Sequence, residues 1–112
     1  MTRNQFLEQV KRLLEDAFGE RLKGVVLYGS EARGEAKEDS DIDFLVLLKG
    51  PVNFGQDLRA IIHVLYPLQL EIIDSNEFGD NRSISARPVD ALVYKAGEFA
   101  LYRNAKREGV FL

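Results

Sequence analysis

Two aspartates stand two residues apart in Ser40-Asp41-Ile42-Asp43, at the head of the apolar run Phe44-Leu45-Val46-Leu47-Leu48. A strand turns alternate side chains to opposite faces, so Asp41 and Asp43 project one way while Ile42 and Phe44 project the other. No basic residue lies between the two carboxylates, which therefore repel each other and resist ionising together. A divalent cation resolves that repulsion. Oxygen ligands suit a hard cation that keeps waters and phosphate oxygens in its shell, so the pair reads as a Mg²⁺–nucleotide site. Just upstream, the apolar run Val25 to Tyr28 meets Gly29-Ser30. A turn there lets backbone N–H groups approach phosphates, with a hydroxyl beside them.

The spacing is specific: Gly29-Ser30, ten intervening residues, then Asp41-Ile42-Asp43, with Ala32-Arg33-Gly34 after the first element and Ser40 before the second. This pattern resembles the signature of the DNA polymerase β-like nucleotidyltransferase superfamily. The short chain resembles its minimal, stand-alone form, often encoded beside a HEPN-domain protein. The resemblance implies an α+β, nucleotidyltransferase-like fold, a small mixed sheet of three or four strands with helices packed on one face. It implies Asp41 and Asp43 as catalytic carboxylates on Mg²⁺, with a two-metal site possible. Gly29, Ser30, Arg33 and Ser40 would lie at the nucleotide, ATP being the expected substrate. The third carboxylate usual in the superfamily would come from the next strand, expected over Leu68–Asp74. Glu71 and Asp74 have opposite parity there, and Glu71 is favoured because an unpaired mid-strand carboxylate would otherwise be an awkward half-buried charge.

The resemblance also implies a function: transfer of an NMP group, AMP from ATP foremost, onto an acceptor hydroxyl. The acceptor would be a tyrosine of a HEPN-type toxin encoded nearby, which makes the chain an antitoxin. The alternative is a catalytically weak nucleotide-binding module that neutralises a helical partner by direct binding. A third reading is a sensor that regulates its partner through nucleotide occupancy. Arg33 could reach a phosphate or pair with a nearby acid, and the residues themselves do not decide between these.

Composition bounds these readings. The 112 residues form one domain, 1–112, with 46% hydrophobic and 29% charged residues and a net charge of −3. That charge argues against general nucleic-acid binding, which rests on clustered Lys and Arg. No apolar run approaches a membrane span. The absence of cysteine excludes disulfides and thiolate metal sites and suits a cytoplasmic protein. Oligomeric state is not encoded, and a homo-oligomer stays open.

Around the motif, hydrophobic spacing predicts a helix over 4–18 ended by Gly19, a strand over 22–28 and a strand over 41–48. A second helix over 53–66 should present Phe54, Leu58, Ile61, Ile62 and Leu65 on one face and stop at Pro67, with His63 exposed. Alternation in Leu68-Gln69-Leu70-Glu71-Ile72-Ile73-Asp74 predicts a third strand, and Ser75 to Phe78 a capped turn leading to a polar loop from Gly79 to Arg82. A last helix is expected over 83–96, with Pro88 in its first turn, Leu92 and Val93 inward and Gly97 as stop. Residues 98–103 read as an edge strand or extended tail. Tyr94 and Tyr102 read as core aromatics, with stacking on a base or contact with a partner as the alternative.

Overall fold

The computed structural model describes residues 1–37, 39–75 and 82–112, those of 74 and 75 by backbone alone. Helix α1 (Arg3–Phe18) opens on a capping box, in which Thr2 accepts from the Gln5 N–H and Gln5 returns the bond, and closes at Gly19. A single 3₁₀ turn leads into β1 (Leu22–Tyr28), followed by the short α2 (Gly29–Arg33) and β2 (Ile42–Leu48). Then come α3 (Phe54–Ser75), β3 (Ile84–Asp90), α4 (Ala91–Ala96), α5 (Ala100–Glu108) and β4 (Val110–Phe111). The sheet order is β3-β2-β1-β4. β1 runs antiparallel to β2 and β4, while β2 and β3 are parallel, so the sheet is mixed and the fold α+β.

Alternation along β1 and β2 divides the core. Val25, Leu27, Ile42, Phe44, Val46 and Leu48 face α1 and α3 and pack with Phe6, Val10, Leu14, Ile61, Leu65, Leu68 and Ile72. Helices α1 and α3 thus supply the expected helical layer. Val26, Leu45, Leu47 and Val89 face the other way, where Tyr94 of α4 and Ala105 of α5 cover them. Tyr94 is buried and Tyr102 packs at this cluster's rim, so both aromatics serve packing. The second face is therefore covered over its middle, and α5 reaches the end where β1 meets Gly29, its Leu101, Asn104, Ala105 and Glu108 lining a pocket with Tyr28, Gly29 and Arg33.

The chain departs from the expected elements after residue 66. The stretch 68–75 continues α3 rather than forming a strand, because Ile61, Leu65, Leu68 and Ile72 recur at three- and four-residue intervals and are the buried positions. Leu70 and Ile73, which completed the apparent alternation, are about half exposed. Pro67 lies inside the helix on its exposed side, where water can take the carbonyl it leaves free. Phe54 and Ile62 are likewise exposed rather than inward. The third strand is 84–90, where a helix was expected. Ile84 and Ala86 pack on the α1/α3 side while Ser85 and Arg87 alternate outward, and Pro88 is tolerated because β3 is an edge strand. The helix expected over 83–96 shrinks to α4, capped by Asp90 at its start and by Gly97 at its end. Leu92 points outward at 76% exposure. Residues 100–108 are helical rather than extended. The expected turn at 75–78 and loop from Gly79 lie outside the described residues, apart from Ser75 at the end of α3 and Arg82.

Two polar clamps hold the edges. Gln69 on α3 donates to the Arg82 carbonyl at 3.0 Å and accepts from the Ile84 N–H at 2.6 Å, standing in for a strand neighbour where β3 begins. Arg21 grips both oxygens of buried Asp57 at 3.0 and 3.1 Å, and Asp57 also accepts from the Asn53 N–H at 3.1 Å. The hydrogen bonds and charge of Arg21 hold the Asp57 carboxyl below its usual range. A lowered pKa gives stability that is present above the unfolded-state value and lost as pH falls through the folded one. Asp57→Ala should therefore cost about 2 kcal/mol at pH 7. The gap in thermal midpoint from wild type should begin to narrow below about pH 4, where the unfolded-state carboxylate protonates, and go on narrowing as pH falls towards the lower folded-state value. A gap equally wide at pH 3 would show that packing, not the ion pair, sets the cost.

Candidate active site

Asp43 is the second residue of β2, paired with Tyr28, the last residue of β1. Its side chain is half-buried, and Asp41, one strand repeat earlier, is exposed. Burial first, and then the charge of Asp41, push the Asp43 carboxyl above its usual range, while Arg87, Arg33 and Arg82 pull the other way. Asp41 thus acts on Asp43 as their spacing requires, and a cation would relieve the repulsion between the ionised pair. Tyr28 shares this environment: burial, then the Asp43 charge, raise its phenol.

Gly29 makes the junction possible. It takes φ 74°, and a Cβ built there would lie 2.6 Å from Asp43 Oδ2. The glycine therefore supplies the left-handed turn and leaves the volume that the Asp43 carboxylate occupies. Ser30 follows in α2, its carbonyl accepting from the Glu35 N–H at 2.9 Å. Glu31 fixes this turn from beneath. Its carboxylate accepts from Arg3 at 3.1 Å and from buried Arg82 at 2.7 Å. Burial alone would push Glu31 up, but the hydrogen bonds from Arg82 and Arg3 outweigh it and hold its carboxyl below the usual range. Arg82 Nε also donates to the Ser40 carbonyl at 2.8 Å, so one side chain joins α2 to the segment that delivers Asp41.

The sequence-based site residues divide. Gly29 lies against Asp43, which pairs with Tyr28, and Ser30 and Asp41 stand next to these two in the chain. Ser40 lies beside them, but its hydroxyl accepts from the Lys37 N–H at 2.9 Å and organises the turn. Arg33 pairs with acids, Glu35 at 3.2 Å and Glu108 at 3.7 Å. Glu71 is not on a strand. It is exposed on α3 and lines a groove with Gln5, Glu8, Gln9 and Arg12 of α1, on the layer behind the opposite sheet face. Residue 74 belongs to the last turn of the same helix. The strand beside Asp43 is β3, and its register sets Ser85 opposite Asp43, with Arg87 two residues on along the same face. Neither is acidic, and no group of three or more His, Cys, Asp or Glu side chains is placed to hold a metal among the described residues.

A donor set of two carboxylates fits one Mg²⁺, which binds through one or two carboxylates together with substrate phosphates and water. Among the described residues it supplies no third carboxylate for a second ion. Sequence reasoning missed Glu31, Arg82 and Arg87. The period-two pattern of Ile84-Ser85-Ala86-Arg87 could have revealed the last, had Pro88 not suggested a helix start.

Comparisons with known proteins identify the family. A family model described as "Nucleotidyltransferase domain" matches residues 4–112. The chain is 30% identical over 111 residues to "Putative protein adenylyltransferase MJ0604" of Methanocaldococcus jannaschii, across 97% of this chain and 96% of that protein. It is 31% identical over 72 residues to "Putative protein adenylyltransferase MJ0141" of the same organism, across 63% of this chain and 73% of that one. Among solved structures it resembles a chain of a toxin-antitoxin crystallised with AMP-PNP, with a TM-score of 0.52 at 16% identity, covering 93% of this chain and 69% of that chain. At that identity the likeness is one of fold. A matched family spanning nearly every residue, together with paired carboxylates set against a Gly-Ser turn, leaves one assignment: the chain belongs to the nucleotidyltransferase domain family.

Proposed function

We propose that this nucleotidyltransferase moves AMP from ATP onto a hydroxyl of a partner protein, and that Asp41 and Asp43 are its catalytic carboxylates. The observation that carries the reading is the carboxylate pair at the mouth of the Gly29 turn. Likeness along nearly its full length to a protein named as an adenylyltransferase supports the choice of AMP and of a protein acceptor. In the step, the acceptor oxygen forms a bond to the α-phosphorus. The bond from that phosphorus to the bridging oxygen breaks, its electron pair leaves with pyrophosphate, and the hydroxyl proton passes to solvent. Asp41 and Asp43 would hold Mg²⁺, which supplies charge neutralisation at the phosphates. The Gly29-Ser30 turn orients the polyphosphate, so positioning and electrostatics provide most of the rate. The partner is read as a HEPN-type toxin and the acceptor as one of its tyrosines, which gives the chain an antitoxin role. The fold shared with a chain of a toxin-antitoxin structure supports this.

One observation favours a second reading. With Ser85 and Arg87 beside Asp43, the site lacks a third carboxylate among the described residues, as in a module that binds nucleotide and neutralises its partner by contact. Intact mass separates the two. The protein is incubated with Mg²⁺, each nucleoside triphosphate in turn, and the product of the adjacent gene. Addition of one AMP mass to the partner, absent with Asp41→Asn/Asp43→Asn, is the expected result. A stable complex with unaltered masses would overturn transfer in favour of binding.

A further inference from the structure

Three arginines act on Asp43: Arg87, Arg33 and Arg82. Two of them are engaged. Arg33 is paired with Glu35 and Glu108. Arg82 is buried against Glu31 and the Ser40 carbonyl. Arg87 differs on each count. It is exposed, it stands in the middle of an edge strand, and it forms no ion pair among the described residues. Strand parity aims it along the face that carries Asp43, because Asp43 pairs with Ser85 and Arg87 follows two residues later. A guanidinium that acts on the Asp43 carboxylate without forming an ion pair with it is available to another anion. Its planar fork matches phosphate oxygens bidentately.

We propose that Arg87 is a phosphate-binding residue of the nucleotide site, contacting the β- and γ-phosphates of a triphosphate whose Mg²⁺ is held by Asp41 and Asp43. The inference rests on the nucleotide-site reading given above. In this arrangement β3 contributes a fixed positive charge where a third carboxylate would instead recruit a second ion. The site then works with one metal ion and one guanidinium, and selectivity for triphosphate over monophosphate comes from β3. Ser85, directly opposite Asp43 and two residues before Arg87, is exposed as well.

Equilibrium binding tests this without relying on turnover. Wild type, Arg87→Ala, Arg87→Lys and Asp43→Asn are titrated by calorimetry with ATP, GTP, CTP, UTP and AMP in the presence of Mg²⁺. Circular dichroism checks that each variant is folded. Arg87→Ala should weaken binding of the preferred triphosphate about tenfold, leave AMP affinity within about twofold, and be partly rescued by Arg87→Lys. Wild-type triphosphate affinity in folded Arg87→Ala, alongside weakened Mg²⁺-dependent binding in Asp43→Asn, would overturn the role of Arg87 and leave the nucleotide site standing. An equal loss of AMP and triphosphate affinity in Arg87→Ala would also overturn it, since that loss would not follow the phosphates. Failure of wild type to bind any of the four triphosphates would overturn both readings together.

Discussion

Asp43→Asn is expected to reduce nucleotide transfer by about a thousandfold or more and, in metal-free buffer, to make the folded protein more stable. The first effect follows from replacing one of two anionic donors with a neutral amide, at a position where charge must be neutralised during the reaction. The second follows from the direction of the shift. Burial, and then Asp41, raise the Asp43 carboxyl in the folded state. Folding then disfavours the ionised form, and this cost grows as pH rises from the unfolded-state value through the folded one. Asparagine keeps the shape and removes the charge. Because the group is only half-buried, solvent screening limits the gain to about 0.5 kcal/mol, or roughly 2–4 °C for a domain of this size. With saturating Mg²⁺ and nucleotide the order should invert, because ligand binding then stabilises the wild type more than the variant. Thermal melts in chelator and in Mg²⁺-ATP check both halves. A variant less stable than wild type under both conditions would mean that Asp43 serves the fold rather than the ligand.

Gly29→Ala should be nearly as damaging to activity, by a different route. Alanine at φ 74° costs about 1–2 kcal/mol in backbone strain. Its methyl group would also sit 2.6 Å from Asp43 Oδ2, so the carboxylate must move. A displacement of about 1 Å in a positioning group is worth about a hundredfold in rate. The expected result is a melting temperature lowered by about 4–8 °C per kcal/mol, together with that fall in transfer assayed well below the new midpoint. Unchanged activity in the folded variant would mean that Asp43 does not need the place that Gly29 leaves for it.

The first half of the chain was legible because its signals are local. Gly19 does end α1, the apolar runs at 22–28 and 42–48 are β1 and β2, and the Gly-Ser to Asp-x-Asp spacing sets the site on the end of that hairpin. The second half misled because two periods overlapped. In 68–74 the alternation of Leu, Gln, Leu, Glu and Ile imitates a strand, while the buried residues obey the helical interval set from Ile61 onward. Pro67 and Pro88 each carried the wrong weight: one sits within a helix and the other within an edge strand, both where a missing N–H is tolerated. The displaced strand then moved the third-ligand assignment onto Glu71, which lies on the layer behind the sheet. The roles of Arg82 and Arg87 depend on which strand lies beside Asp43. Parallel pairing across that distance leaves no local trace in a sequence.

That long-range pairing has a consequence for how the site comes into being. Ile42 bonds to Ser83 and pairs with Ile84, and Glu31 meets Arg82 fifty-one residues away. Closing so large a loop carries an entropic cost before any contact rewards it, and parallel strands with high contact order form slowly. The β1–β2 hairpin, with both aspartates and the Gly-Ser turn, can assemble early from neighbours in sequence. The guanidiniums of Arg82 and Arg87 arrive only when β3 docks. A chain that has formed this hairpin but not yet docked β3 therefore carries both aspartates without the guanidiniums of Arg82 and Arg87 beside them.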